Sequence, residues 1–394
     1  MGKAKPVDVS PFTRDRFRTG RQVEGPYPYA RWKAHLEAKP SASSGSADLV
    51  ACYNPAASPN RLMAGPDAAP RKSNTASLVA RMLDGDRLAL ARLITQVENR
   101  TDAVPAIMKA AFSRARGAYV VGVTGPPGAG KSTVVDRLTT LLRAEEQTVG
   151  VVAVDPSSPF TGGAVLGDRI RMQAHALDAG VFIRSMATRG SLGGLARATG
   201  DVIKLLVAAG YAWVLIETVG VGQTELDIMK LADTTVVVLV PESGDAIQTM
   251  KAGLMEAADI FLVNKADRTG APALMAELKF AAHLHYASAT SPKDVEWEIP
   301  VLSAEAQNNV GIKELLAEIR RHRAALEATG ALAARRRTRL GEELKRLLLE
   351  AFRAKVARAV EGGELGPTLD RVLDGTLDPY SAAQAILPAL RLES

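Results

Sequence analysis

Short runs of β-branched residues alternate with stretches of helical spacing through the middle of the chain. The runs are Tyr119 to Thr124, Val149 to Asp155, Val181 to Arg184, Trp213 to Glu217, Thr234 to Val240, Ile260 to Asn264 and Pro300 to Ser303. They are continuously apolar and do not alternate with polar residues, as expected of strands buried on both faces. The pattern predicts an α/β fold: a mostly parallel sheet covered by helices on both faces, flanked by an N-terminal helical segment and a C-terminal helical extension.

The flanks read differently. From Thr75 to about Gly117, Leu78, Met82, Leu88, Ala91, Ile94 and Val97 fall near i, i+3 and i+4 spacing, with Gly85-Asp86 as a break and N-cap; this predicts a helical pair. After Gly311, Leu315, Leu316 and Ile319 mark a closing helix that Gly330 ends. A long helix follows from about Ala331 to Val360, with Leu340, Leu344, Leu347, Leu348, Ala351, Phe352, Val356 and Val360 on one stripe that needs a partner. The cluster Arg335-Arg-Arg-Thr-Arg339 reads as a solvated helix start. Residues 1–74 are rich in Pro, Gly, Ser and Ala without sustained periodicity, apart from a short helical pattern at Ala30 to Ala38. They read as a flexible extension, and Met63 is a candidate alternative start. The expected division is 1–74, a helical segment 75–117, a nucleotide-binding domain 118–328 and a helical extension 329–394.

Composition narrows the picture. Of the 49 Lys+Arg and 43 Asp+Glu, residues 1–74 hold 12 and 6, leaving 37 of each in the rest. A nucleic-acid binder is expected to carry its basic charge on a folded face, so the charge argues against DNA or RNA. The longest apolar stretch, Leu205 to Ile216, is broken by Gly210 and too short to span a bilayer. A single cysteine, Cys52, excludes an internal disulfide and predicts a cytoplasmic protein.

The candidate chemistry lies at the ends of the predicted strands. Gly125-Pro-Pro-Gly-Ala-Gly-Lys131-Ser132 is a complete GxxxxGK[ST] loop between a strand and a helix. Its glycines let backbone N–H groups point at phosphate oxygens, Lys131 bridges the β- and γ-phosphates and Ser132 holds Mg²⁺. The second run ends in Asp155, Asp168 follows in a Gly-rich loop, and the fourth ends in Glu217-Thr-Val-Gly220, an ExxG variant of the DxxG motif. Beside a triphosphate these three acids are expected to serve as direct or water-mediated magnesium ligands, or to orient the attacking water. Asn264-Lys265-Ala266-Asp267 is an NKxD motif, whose Asp267 carboxylate accepts from guanine N1–H and the exocyclic amine. Ser303-Ala304 supplies a backbone contact to the guanine carbonyl. The full nucleotide-contacting set is Gly125, Pro126, Pro127, Gly128, Ala129, Gly130, Lys131, Ser132, Thr133, Gly220, Asn264, Lys265, Asp267, Ser303, Ala304 and Glu305. Val221 follows Gly220 where small signalling GTPases carry a water-positioning Gln, and Gln223 lies three positions on, so intrinsic hydrolysis is expected to be slow.

With Asp155-Pro-Ser-Ser-Pro159, Gly167-Asp-Arg-Ile170 and Glu217-Thr-Val-Gly-Val-Gly-Gln223, these motifs resemble the MeaB/ArgK group, relatives of human MMAA, over about residues 75 to 360. The resemblance implies a P-loop GTPase of the SIMIBI class that assists cofactor loading and protection of an adenosylcobalamin-dependent acyl-CoA mutase. It places Lys131, Asp155, Asp168 and Glu217 at the catalytic site, with Ser132 joining the three acids at the metal. It also implies a homodimer through the C-terminal extension and a further switch at Glu242 to Lys251. GTP or GDP and Mg²⁺ are the expected ligands. The DxHxxG signature of cobalamin binding is absent, so cobalamin belongs to the partner. One alternative is an ATP- or GTP-dependent kinase linked to amino-acid transport, against which Asp267 argues. Another is a nickel-type metallochaperone GTPase, for which Cys52, His283 and His285 are a poor ligand supply.

Overall fold

The computed structural model describes residues 75–155, 174–175, 177–187, 192–218, 220, 229–242, 257–288, 297–361 and 365–387. Seven strands form one parallel sheet: β1 Tyr119–Thr124, β2 Val149–Asp155, β3 Val181–Ala187, β4 Trp213–Thr218, β5 Thr234–Leu239, β6 Ile260–Asn264 and β7 Val301–Ala304. Their spatial order is β3-β2-β4-β1-β5-β6-β7. The chain first builds outward from β1 on one side, then crosses after β4 to build β5, β6 and β7 on the other. A crevice therefore opens beside β1 at the carboxyl ends of the strands, where ligands of such sheets bind.

Three helices precede the sheet: α1 Thr75–Leu83, α2 Arg87–Glu98 and α3 Val104–Ala111. Asp86 caps α2, accepting from the Leu88 and Ala89 amides at 2.8 and 3.0 Å. The expected pair is thus a trio, because Pro105 in the first turn starts a new helix where the spacing of α2 runs out. The buried face of α2 is Ala89, Leu90, Leu93, Ile94 and Val97, and Leu88 is exposed. Between the strands lie α4 Lys131–Ala144, α5 Leu192–Ala208 and α6 Ala271–Ser288. After β7 come α7 Ile312–Ala328, α8 Ala331–Glu361, α9 Gly366–Leu373 and α10 Pro379–Ile386.

Alternate residues of each strand feed opposite cores. Val120, Val152, Val214 and Ile216 pack under α1, α2, α3 and α5. Tyr119, Val121, Val123, Val151, Leu215 and Val236 pack under α4 and α7, and Val237, Leu239, Phe261 and Val263 under α6. Both faces are dry, which explains why these strands read as unbroken apolar runs. No helix among the described residues is long and apolar enough to cross a membrane.

The amino ends of the strands are closed by a polar network. Asp233, fully buried just before β5, accepts from the Val120 amide at 3.1 Å and is gripped by Arg336 at 2.6 Å and Arg339 at 2.7 Å. Arg335 lies 3.4 Å from Asp259, and Arg339 also donates to the Leu231 carbonyl at 2.7 Å. The arginine cluster is therefore not a solvated helix start: three of its members turn inward, Arg336 and Arg339 onto the buried Asp233 carboxylate and Arg335 onto the half-buried Asp259. Beside them, Tyr119 Oη and His322 Nδ1 both meet Thr234 Oγ1, at 2.6 and 2.8 Å. Burial holds the His322 pKa below the ordinary imidazole value.

Burial alone would push Asp233 up, but hydrogen bonding by Arg336 and the charge of Arg339 outweigh it and hold the carboxyl below its ordinary value. A depressed folded-state pKa makes this contribution full above about pH 4 and lost as pH falls through the folded value. Asp233→Ala should cost about 3 kcal/mol in urea unfolding at neutral pH. The gap between variant and wild type should narrow as the acid limit is approached; an unaltered midpoint at pH 7 would refute the clamp.

Candidate nucleotide-binding site

The loop between β1 and α4 has a shape only glycine permits at two points. Gly125 has φ +144° and would carry a Cβ only 2.0 Å from the Val238 carbonyl oxygen; Gly130 has φ +89° and would carry one 2.4 Å from Asn264 Nδ2. With those residues the loop lies against β5 and β6 and turns into α4, whose first residues are Lys131 and Ser132. Lys131 Nζ donates to the Gly125 and Pro126 carbonyls, each at 2.9 Å. Ser132 Oγ donates to Glu217 Oε1 at 2.5 Å, and both residues are buried.

Glu217 and Thr218 end β4. Thr218 Oγ1 donates to Thr124 Oγ1, and Thr124 Oγ1 to the Gly220 carbonyl, each at 2.8 Å, so β1 fastens the start of the ExxG turn. The register sets Val154 opposite Thr218, which brings the backbone of Asp155 to the same end of the sheet as Glu217. The Asp155 side chain, Asp168, Val221, Gln223, 243–251, Cys52, Met63, Ala30–Ala38 and the side chain of His285 lie outside the described residues.

At the other side of the cavity, Asn264 ends β6. Its Nδ2 donates to the Ala129 carbonyl at 2.8 Å and its Oδ1 accepts from the Ala306 amide at 3.0 Å. Lys265 takes a left-handed conformation, φ +56°, and the Ala266 amide donates to the Ala304 carbonyl at 3.0 Å. The turn after β7 is closed on itself by reciprocal bonds between Glu305 and Val310, and Asn308 Nδ2 donates to Glu305 Oε2 at 3.0 Å.

One cavity of about 650 Å³ joins these parts. Of the expected residues, Pro127, Gly128, Gly130, Lys131, Ser132, Thr133, Glu217, Asn264, Lys265, Asp267 and Glu305 line it. Gly125, Pro126 and Ala129 form the loop without lining the cavity; Gly220 lies just past β4, and Ser303 and Ala304 lie in β7. Sequence reasoning missed Thr218, Arg268, Ala306, Gln307 and Asn308, which also line it. Arg268 directly follows the NKxD motif and pairs with Glu242, and the last three form a single 3₁₀ turn after β7 that apolar patterning does not mark. His283 is exposed on α6, and no cluster of three or more His, Cys, Asp or Glu suited to a metal ion occurs among the described residues.

A phosphate loop opening a helix, opposite an NKxD strand end in a parallel sheet, defines a P-loop nucleotide-binding protein with a guanine-type base site. Residues 90–361 match the family described as methylmalonyl-CoA mutase-associated GTPase MeaB, and the chain belongs to that family. It is a GTPase. A putative GTPase of Pyrococcus abyssi is 52% identical over 310 residues, 79% of this chain and 95% of the relative. The mouse methylmalonic aciduria type A homolog is 33% identical over 326 residues, 79% of this chain and 78% of that protein. A crystal structure of an LAO/AO transport system kinase superimposes with a TM-score of 0.59 at 29% identity, covering 82% of this chain and all of that one.

Gly125→Ala should abolish tight GTP binding in a calorimetric titration, since a methyl group cannot share space with the Val238 carbonyl. Unchanged affinity would show that the loop does not hold the phosphates in this form.

Proposed function

We propose that this GTPase uses its cycle to assist an adenosylcobalamin-dependent acyl-CoA mutase, in cofactor loading and protection. The observation that carries the nucleotide part is the single cavity lined by the phosphate loop, Glu217 and the NKxD residues together. In this reading the loop amides and Lys131 hold the phosphates; to do so Lys131 exchanges its two carbonyl partners for β- and γ-phosphate oxygens. Asp267 accepts from the guanine edge, and an adenine there leaves a carboxylate unpaired, a mismatch worth about 10⁴-fold in rejection.

Ser132 Oγ and Glu217 Oε1 already touch in a buried position, a hydroxyl and a carboxylate of the hard-oxygen type that suits Mg²⁺. Ser132 and Glu217, with Asp155 and Asp168, would hold the ion. Bound there, magnesium would neutralise charge developing on the phosphates. Glu217 and its neighbours position water and exclude bulk solvent, while Thr124 and Thr218 steady the ExxG turn.

The partner reading rests on family membership: the family's description joins it to methylmalonyl-CoA mutase, and the mouse relative is named for methylmalonic aciduria. In it, residues 118–328 act as the nucleotide-binding domain, Glu242 to Lys251 sense the mutase, and the protein works in the cytoplasm as a homodimer. The exposed Leu340, Leu344, Leu347 and Leu348 on α8 support the dimer, because such a stripe gains from being covered.

Lys131→Ala should lose most GTP affinity, and Asp267→Asn should shift preference from guanine toward xanthine nucleotides in competition binding. Retention of the guanine preference would remove Asp267 from the base site. Tighter binding of ATP than GTP by the wild-type protein would favour the kinase reading. For the partner, purified protein and an adenosylcobalamin-dependent acyl-CoA mutase should co-elute in gel filtration, with GTP turnover raised at least several-fold. No complex with any of the three nucleotide states (free, GDP, GTP analogue) would end the chaperone assignment.

A further inference from the structure

Helix α8 is amphipathic the wrong way round. From Arg335 to Glu350 the partly buried positions are Arg335, Arg336, Arg339, Glu343, Arg346 and Glu350, recurring at helical spacing, and every one is charged. The leucines of the same stretch, Leu340, Leu344, Leu347, Leu348 and Leu349, are all exposed. A surface helix normally buries its apolar stripe. Apolar burial on α8 is confined to its two ends: Ala331 and Leu332 join the cores in the first turn, and past the ladder Ala359 is buried with Phe352 and Val356 partly so.

The charged face has a specific mate. Along α5, Arg197, Asp201 and Lys204 follow one another at i, i+4 and i+7; along α8, Glu343, Arg346 and Glu350 follow at i, i+3 and i+7. Arg197 pairs with Glu350 and Lys204 with Glu343, so the two helices run antiparallel with opposite charges matched rung by rung. Between these rungs Asp201 and Arg346 feel each other's charge. Asp201 is buried with Lys204 3.7 Å away, and Arg346 Nε is buried without a hydrogen-bond partner. The register is specific: sliding α8 by one turn would set like charges opposite one another. The lower end of α8 is fixed by Asp233 and Asp259 as described above.

We propose that α8 is a charge-latched arm: from Arg335 to Glu350 it is docked on its own domain through charged side chains, and loosening the ladder with α5 frees this stretch while the sheet stays folded. Ion pairs at half-exposed positions contribute about a two- to fivefold bias each, and are screened as the Debye length falls from about 10 Å at 0.1 M salt to about 3 Å at 1 M. The exposed leucines respond to salt in the opposite sense, since apolar association is not weakened by screening. The arm can thus leave its own domain without leaving anything bound to its leucine face. This inference does not depend on the nucleotide or mutase reading.

The test uses the full chain with Cys52→Ser and spin labels at Ala317→Cys on α7 and Arg353→Cys on α8, diluted with unlabelled protein so that distances within one chain are read. At low salt a single narrow distance is expected, broadening severalfold at 1 M salt. Lys204→Glu and Glu343→Lys should each broaden it at low salt, and the double reversal should restore the narrow distance; Arg197→Glu with Glu350→Arg provides a second, independent rung. Cooperative urea unfolding of each variant reports that the sheet remains intact. A distance insensitive to salt and to the single reversals, or a double reversal no narrower than the singles, would overturn the latch.

Discussion

Asn264 holds the two halves of the cavity together. Its amide group donates to the phosphate loop at Ala129 and accepts from the turn after β7 at Ala306, so the side chain ties the loop and the turn to each other across the cavity. The residue is almost fully buried, where a polar group without partners would be costly. The neighbouring backbone is shaped to that link. Gly130 must lack a side chain because Asn264 occupies the space, and Lys265 turns left-handed at the next residue. The chain then returns in register with β7 through Ala266 and Ala304. The phosphate loop, the NKxD strand end and the turn after β7 are joined in this way by one amide.

The opposite ends of the same strands obey a different rule. At the carboxyl ends, polar residues line a cavity; at the amino ends, they are neutralised by one another. Asp233 and Asp259 sit where β5 and β6 begin, and the arginines of α8 reach in to meet them. Tyr119, Thr234 and His322 continue the network beneath the core. Its chemistry is structural, since buried ionised groups survive only with partners. That network also explains why α8 starts where it does. Gly330, with φ +73°, turns the chain at the end of α7, and the next two turns of helix deliver three arginines to two carboxylates.

Much of this was legible in the residues alone. Every strand was placed by its apolar run; β1, β4, β5 and β6 are buried along their whole length and so lack solvent-facing positions, and errors were confined to ends such as β3, which continues to Ala187. The phosphate loop and NKxD motif were legible because their chemistry is local in sequence. What could not be read was long-range. Arg268, Gln307 and Asn308 reach the cavity through folding back of loops, and nothing in their neighbours announces it. The helical trio was undercounted because α2 and α3 share one apolar composition and are parted by a short turn. Leu88 was assigned to the core face of α2 although the true face is rotated toward Leu90 and Leu93.

The arginine cluster and the leucine stripe of α8 teach the sharper lesson. Helical periodicity locates two faces but does not say which one turns inward, and the default that apolar residues face the core presumes a single core to face. On α8 the near side is a row of carboxylates and cations already in place on α5 and at the strand ends. Charge pairing therefore decides the orientation, and the leucines are carried outward. The exposed stripe carries a cost in apolar area left in water, which the charge pairing on the opposite face has to outweigh. The same helix thus carries two faces with different physics, a charged one weakened by salt screening and an apolar one that screening does not weaken.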